Sequence, residues 1–296
     1  MDYDLCKRFD TLRSFLPDEL GKSTRNDFHS NGNIRNYCPN GSSGNTKECK
    51  TDFDKIKGGC LWLFEQLFVK NKIKNINIVG YIMIWLSYML SIKKESEITN
   101  LNDFYSKYIE INTYYTNCDN NGQDCGNLLK GITGYTNYKE IIDTKKELLN
   151  INFEYVSKLY DAFKSLCNMY TEIGGEDTTN KKYLENAKKF VEKYNELNGP
   201  NNTKDNAYYQ VLSTLSNDYH NFKNYCNDNS VDCNDIPPLS PINTTKKNLQ
   251  SSEPSFELSS DVTSSSSSIK NKLIPYSLFG FRKRTQKQHL REKIKK

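Results

Sequence analysis

Only three histidines, His29, His220 and His289, occur in 296 residues, and they are scattered. No cysteine pair has the short Cys-x-x-Cys spacing, so a zinc site of the usual kind is not expected. The phosphate-loop pattern Gly-x-x-x-x-Gly-Lys-Ser/Thr, the Gly-x-Ser-x-Gly elbow and His-Glu-x-x-His are all missing, which removes the best-defined routes to nucleotide, acyl and metal-assisted chemistry. His220 and Cys226 lie six apart, off a common helical face, and give no activated thiol. The start, Met1-Asp2-Tyr3-Asp4-Leu5-Cys6-Lys7-Arg8, lacks the basic segment and apolar run of a secretory signal. No enzyme, metal site or cofactor is expected.

A folded basic surface is also lacking. Lys270 to Lys296 carries ten Lys and Arg against one Glu, a net +9, and with +5 for the whole chain the remainder carries −4. A nucleic-acid binder would place its basic patch on the folded body, so nucleic acid is not an expected partner.

Apolar sequence is concentrated instead. Ile76 to Ile92 has no charged residue, and its apolar side chains point all round a helix, as in one enclosed by protein or lipid. It is slightly short of the ~20 residues of a comfortable span and is interrupted by Asn77, Gly80, Ser87 and Ser91, which favours a central core helix. Just before it, Ile56, Cys60, Leu63, Phe64, Leu67 and Phe68 share a helical face, with Lys57, Glu65 and Gln66 off it. Further helical stripes run through Leu5, Phe9, Leu12 and Leu16, ended at Pro17; through Phe104, Tyr105, Tyr108, Ile109 and Tyr115 after an Asn100 cap; and from Tyr138 to Leu149. Another continues through Phe153 to about Thr171, stopped by Gly174-Gly175; then come one from Thr179 to Asn198-Gly199-Pro200 and one from about Asp205 to Cys226. The fold class expected is all-α, a multi-helix disulfide-bearing bundle over residues 1–235. A disordered Ser/Pro-rich linker (236–268) and a basic tail (269–296) follow. The abundance of Asn and Lys reads as coding bias.

Nine cysteines are many for a reducing compartment. Cys118 with Cys125 and Cys226 with Cys233 would close short polar loops, and Cys38 with Cys49 is next, with Cys6 able to compete for either member. Cys60 and Cys167, on apolar faces, are the expected buried thiols. Asp119 to Asp124 has a calcium-loop composition, but the twelve-residue ligand pattern and its closing Glu are absent, so a disulfide-closed turn is expected. Asn40, Asn201 and Asn243 each open a formal glycosylation sequon.

Several strings are long and unusual: Gly59-Cys60-Leu61-Trp62-Leu63-Phe64-Glu65-Gln66-Leu67-Phe68; Ile84-Trp85-Leu86-Ser87-Tyr88-Met89-Leu90 with Ile98-Thr99-Asn100-Leu101-Asn102-Asp103-Phe104-Tyr105; and Tyr276-Ser277-Leu278-Phe279-Gly280-Phe281-Arg282-Lys283-Arg284. In these, and over nearly its whole length, the chain resembles the PIR family, the Plasmodium interspersed repeat variant multigene family of malaria parasites, most closely the rodent-malaria yir/bir/cir branch. Cys60, Trp62, Phe64, Trp85 and Leu86 form the core signature of the resemblance, and Arg282, Lys283 and Arg284 its basic tail. The resemblance implies a helical domain exported to the infected host erythrocyte, a Ser-rich stalk, one membrane span and a short basic cytoplasmic tail. It further implies roles in antigenic variation, immune evasion and adhesion, with a host cell-surface protein or an antibody as partner. The family's span would lie between Pro275 and Tyr276, and here those residues abut. Leu273 to Phe281 offers nine residues before the charges, far below a span. The alternative expectation is a scaffolding protein that touches anionic lipid peripherally through this tail.

Overall fold

The computed structural model describes residues 1–19, 26–40, 46–93, 98–120, 123–175, 181–199 and 207–243, together with Lys22 and Thr24. The body, within residues 1–247, is all-helical apart from one two-residue ribbon among the described residues. Its helices are α1 (Tyr3–Phe15), α2 (Asp52–Phe64, continued by a π-helical turn Glu65–Lys70), α3 (Val79–Lys93), and α4 (Leu101–Phe104, continued by a π turn Tyr105–Ile109). They are followed by α5 (Thr113–Thr116), α6 (Gly126–Thr133), α7 (Tyr138–Asp143), α8 (Phe153–Ile173), α9 (Lys182–Leu197) and α10 (Ala207–Asp228). The expected opening of α9 at Thr179 lies outside the described residues. The helix expected from Tyr138 to Leu149 is split, with a 3₁₀ turn over Lys146–Asn150 after α7.

Charge-free sequence makes α3 the interior helix. Tyr81, Ile82, Met83, Ile84, Trp85, Leu86, Met89 and Leu90 are all buried, and so is Ser87. Ile76–Lys93, α3 with the turn that leads into it, is the one described helical run long and apolar enough to cross a membrane, and 61% of it is buried within the protein. Its neighbours are α2 and α8. Tyr81 stacks on Phe163 at 4.7 Å and Tyr88 on Tyr160 at 4.3 Å. Gly59 is where α2 approaches this layer, since a methyl group there would sit 3.1 Å from the Trp85 ring and 3.3 Å from Leu12. A side chain at that position would push the two helices apart.

α8 is the hub, touched by α1, α3, α9 and α10. Phe9 of α1 meets Phe163 edge-on at 4.8 Å, and Cys6 is bonded to Cys167. The Cys6–Cys167 bridge corrects two expectations: Cys167 is not a free thiol, and Cys6 does not compete for Cys38 or Cys49. Local spacing could not show it, because the partners are 161 residues apart and meet only through the packing of α1 on α8. Close packing also fixes Gly174, where an added Cβ would come within 2.4 Å of Tyr3. On the other side, α9 runs antiparallel to α8 and α10, with Phe190 stacked on Tyr219 at 4.7 Å.

Buried polar groups tie these layers. Asp18 accepts from the Tyr160 hydroxyl at 2.6 Å and from Lys164 Nζ at 3.0 Å. Burial opposes its ionisation, but those donors outweigh it and hold the carboxyl below its ordinary pKa. Asp218 receives the Met1 amine at 2.9 Å and the Tyr81 hydroxyl, while its carbonyl accepts from Tyr170 at 2.7 Å.

The helical body reaches past the expected boundary at Asp235. Ile236 is buried, and Leu239 and Ile242 pack on the core. Tyr219 donates to Pro237 O at 2.6 Å; Asn198 Nδ2 donates to Pro241 O at 2.8 Å, and Asn198 Oδ1 accepts from Asn243 N at 2.7 Å. Residues 236–243 are therefore a strap across α9 and α10, because prolines that cannot continue a helix still present carbonyls to buried donors. The rest of the expected linker, the tail with Arg282, Lys283 and Arg284, and the sequon at Asn201 lie outside the described residues.

Candidate functional site

The core signature residues are structural. Cys60, Trp62, Phe64, Trp85 and Leu86 are at most 3% exposed. Cys60 is the unpaired thiol, and burial pushes its pKa up to about 12, which leaves it without thiolate character. No cluster of three metal-ligating side chains occurs among the described residues.

Chemistry-bearing polar groups gather instead where two disulfide-closed loops meet. Cys38 joins Cys49, and Cys118 joins Cys125; the third local bridge, Cys226–Cys233, closes the turn after α10. Between Cys118 and Cys125 the chain forms an antiparallel ribbon, Asp119 opposite Asp124 and Asn120 opposite Gln123. The loops are held side by side by aromatic and basic residues. Tyr37 meets Tyr114 edge-on at 5.4 Å, and Lys47 lies over the Tyr114 ring at 5.1 Å and donates to Asn36 O at 2.7 Å. Asp119 reaches the same cluster electrostatically, adding to the upward push that burial and then Glu65 exert on the Tyr37 and Tyr138 hydroxyls.

Beneath the loops lies Glu65. The helical-face reading set it outside the buried stripe, yet it is 0% exposed. The change to π-helical winding at Glu65–Lys70 offsets the side chains that follow Phe64, and Glu65 turns inward to accept from Tyr37 at 3.0 Å and Asn33 at 3.4 Å, with Lys70 at 3.5 Å. A buried carboxylate is tolerated when so bonded. It fastens the 3₁₀ turn Gly32–Tyr37, and with it the root of the Cys38–Cys49 loop, to α2.

Two apolar side chains are exposed on the segments that flank the ribbon. Ile111 is 75% and Leu128 41% exposed, one on each side of the Cys118–Cys125 bridge in the chain. Sequence reasoning missed both, along with Lys47 and Tyr114; Glu65 alone left a signal, as a lone carboxylate between Phe64 and Leu67. Near Tyr37 and Tyr114 the arrangement is a rooted cluster of polar and aromatic groups, with exposed apolar side chains on flanking segments.

The family model for the Plasmodium variant antigen protein Cir/Yir/Bir matches residues 6–281. The chain belongs to that family. A solved structure, of a Plasmodium PIR protein ectodomain, is 30% identical and superposes with a TM-score of 0.57, covering 82% of this chain and 98% of that one. No curated protein matches. The Cir/Yir/Bir membership agrees with the expected helical, disulfide-bearing class, and the core signature and the loops now have distinct places within it: the first inside the bundle, the second on its surface.

Proposed function

We propose that this variant antigen is a non-catalytic protein exported to the infected erythrocyte. Its body presents the 38–49 and 118–125 loops, with Ile111 and Leu128, to a host cell-surface protein or to antibody, in antigenic variation, immune evasion and adhesion. The observation that carries the reading is two covalently closed loops with Ile111 and Leu128 exposed on the adjoining segments, two of the three exposed large hydrophobic residues among the described residues, the third being Tyr155 in α8. The description of the solved relative as an ectodomain supports outward display.

The test is a binding screen of the full chain against host red-cell and leukocyte surface proteins. Any partner found should lose tenfold or more in affinity with Ile111→Asp or Leu128→Asp, about 1.4 kcal/mol or more. Lys188→Glu, on the outer face of α9, should leave it unchanged. Equal loss from the α9 change would move the contact off this surface.

A second reading, peripheral scaffolding at anionic lipid, is favoured by the basic tail. Each of its ten Lys and Arg could add about 1 kcal/mol near an anionic leaflet, an attraction screened by salt. The chain as written is expected to leave membranes on washing with alkaline carbonate or high salt. Insertion of an apolar span between Pro275 and Tyr276 should make it resistant, and carbonate resistance of the unaltered chain would contradict the peripheral reading.

A further inference from the structure

An open cavity of about 300 Å³ lies at the base of the Cys38–Cys49 loop, lined by Thr24, Asp27, Phe28, His29, Glu48, Cys49, Lys50 and Lys55. The His29 ring is only 15% exposed, and its Nε2 accepts the backbone N–H of Cys49 at 3.0 Å. That bond requires a neutral imidazole with its proton on Nδ1, which lies 3.7 Å from Asp27 Oδ1. Asp27 also accepts from the His29 backbone N–H at 2.9 Å, so the carboxylate and the ring are held on one turn.

Protonation of Nε2 would set a donor against the Cys49 N–H and break the link. Imidazole is the side chain whose ordinary charge change falls between pH 5 and 8. The charged groups facing it are Asp27, Glu48, Lys50 and Lys55; Glu48 and Lys50 lie 3.9 Å apart. Cys49 lies two residues before Thr51, the cap of α2, and its sulfur lies within 3.3 Å of Asp54 O, so α2 and the disulfide limit any release to the loop.

We infer that His29 is a pH-sensitive pin that holds the Cys49 end of the 38–49 loop when neutral and releases that end when protonated. The consequence for recognition rests on the reading of this loop as part of the contact surface, but the switch itself needs no partner to be observed.

Amide hydrogen exchange of the full chain, corrected for the intrinsic pH dependence of exchange, is the test. Protection of the Cys49 amide should fall tenfold or more between pH 7.5 and 5.5, while amides within α8 and α9 keep theirs. His29→Ala should show the low value at both pH values. His29→Gln, whose amide oxygen can accept the Cys49 N–H but does not titrate, should show no step, and serves where the alanine variant does not fold. Unchanged protection of Cys49 across this range, or a step that persists in His29→Ala or in His29→Gln, would overturn the inference. None of those results bears on the binding screen, so failure of the pin and failure of the contact surface are separate outcomes.

Discussion

Trp85→Asp should abolish the cooperative fold. Trp85 is fully enclosed in the middle of α3, with Gly59 of α2 against its ring. Burying an unpaired charge costs several kcal/mol, and the void left by the indole costs about 3 to 5 more, against a typical domain stability of about 5 to 15 kcal/mol. Circular dichroism and thermal melting of the variant should show loss of the cooperative transition. Trp85→Phe, which keeps an apolar ring, should melt lower but still cooperatively. A helical signal and melting temperature unchanged by Trp85→Asp would mean that α3 is not core, and the reading of Ile76–Lys93 as a membrane span would return.

The second large effect is expected from the bridge between α1 and α8. A crosslink restricts the unfolded chain in proportion to the logarithm of the loop that it closes. For Cys6–Cys167, with a separation of 161, this comes to about 5 kcal/mol, compared with about 2.4 kcal/mol for a separation of 7 such as Cys226–Cys233. Cys6→Ala with Cys167→Ala should therefore lower the melting temperature by roughly 10 to 20 °C, and Cys226→Ala with Cys233→Ala by about half as much. Equal shifts in the two double variants would show that loop entropy does not set their order. α1 is the element expected to detach first, since without the bridge its hold on α8 is non-covalent, through Phe9 on Phe163, Arg13 to Tyr160 and Tyr3 against Gly174, with Asp18 just beyond it bonded to Tyr160 and Lys164.

Helices whose apolar positions repeat at three and four were legible in the sequence, as Leu5, Phe9 and Leu12 of α1 and Val156, Leu159, Phe163 and Leu166 of α8 illustrate. The character of α3 was legible for a different reason: the charge-free run Ile76 to Ile92 had to be enclosed by protein or lipid, and its length favoured protein. What periodicity could not reveal was anything that depends on two distant segments meeting. The Cys6–Cys167 bond is one such case, and the strap of Ile236 to Asn243 is another, because its prolines and low apolar content resemble a linker until Asn198 and Tyr219 are seen to receive it.

The abundance of Asn also has a physical use that composition concealed. Asn100, Asn112, Asn137 and Asn152 cap α4, α5, α7 and α8, each accepting a backbone N–H of the first turn, and Asn75 does the same for the 3₁₀ turn leading into α3. Replacing such a cap by Ala typically costs about 1 kcal/mol. For the contact surface, the pairing within Cys38–Cys49 and Cys118–Cys125 could be read from spacing. That the two loops share one surface could not, since Tyr37, Lys47 and Tyr114 lie on three separate segments and are joined only by packing.

Central to this account is a body whose loop surface faces the outside of the host cell. Labelling intact infected erythrocytes with an amine reagent that does not cross membranes, followed by peptide mapping, tests it most directly. Lys50, on the Cys38–Cys49 loop side, and Lys130, in α6 after the Cys118–Cys125 bridge, are both exposed in the folded body. The account predicts that both are labelled on intact cells, and it would be contradicted if either were labelled only after permeabilisation.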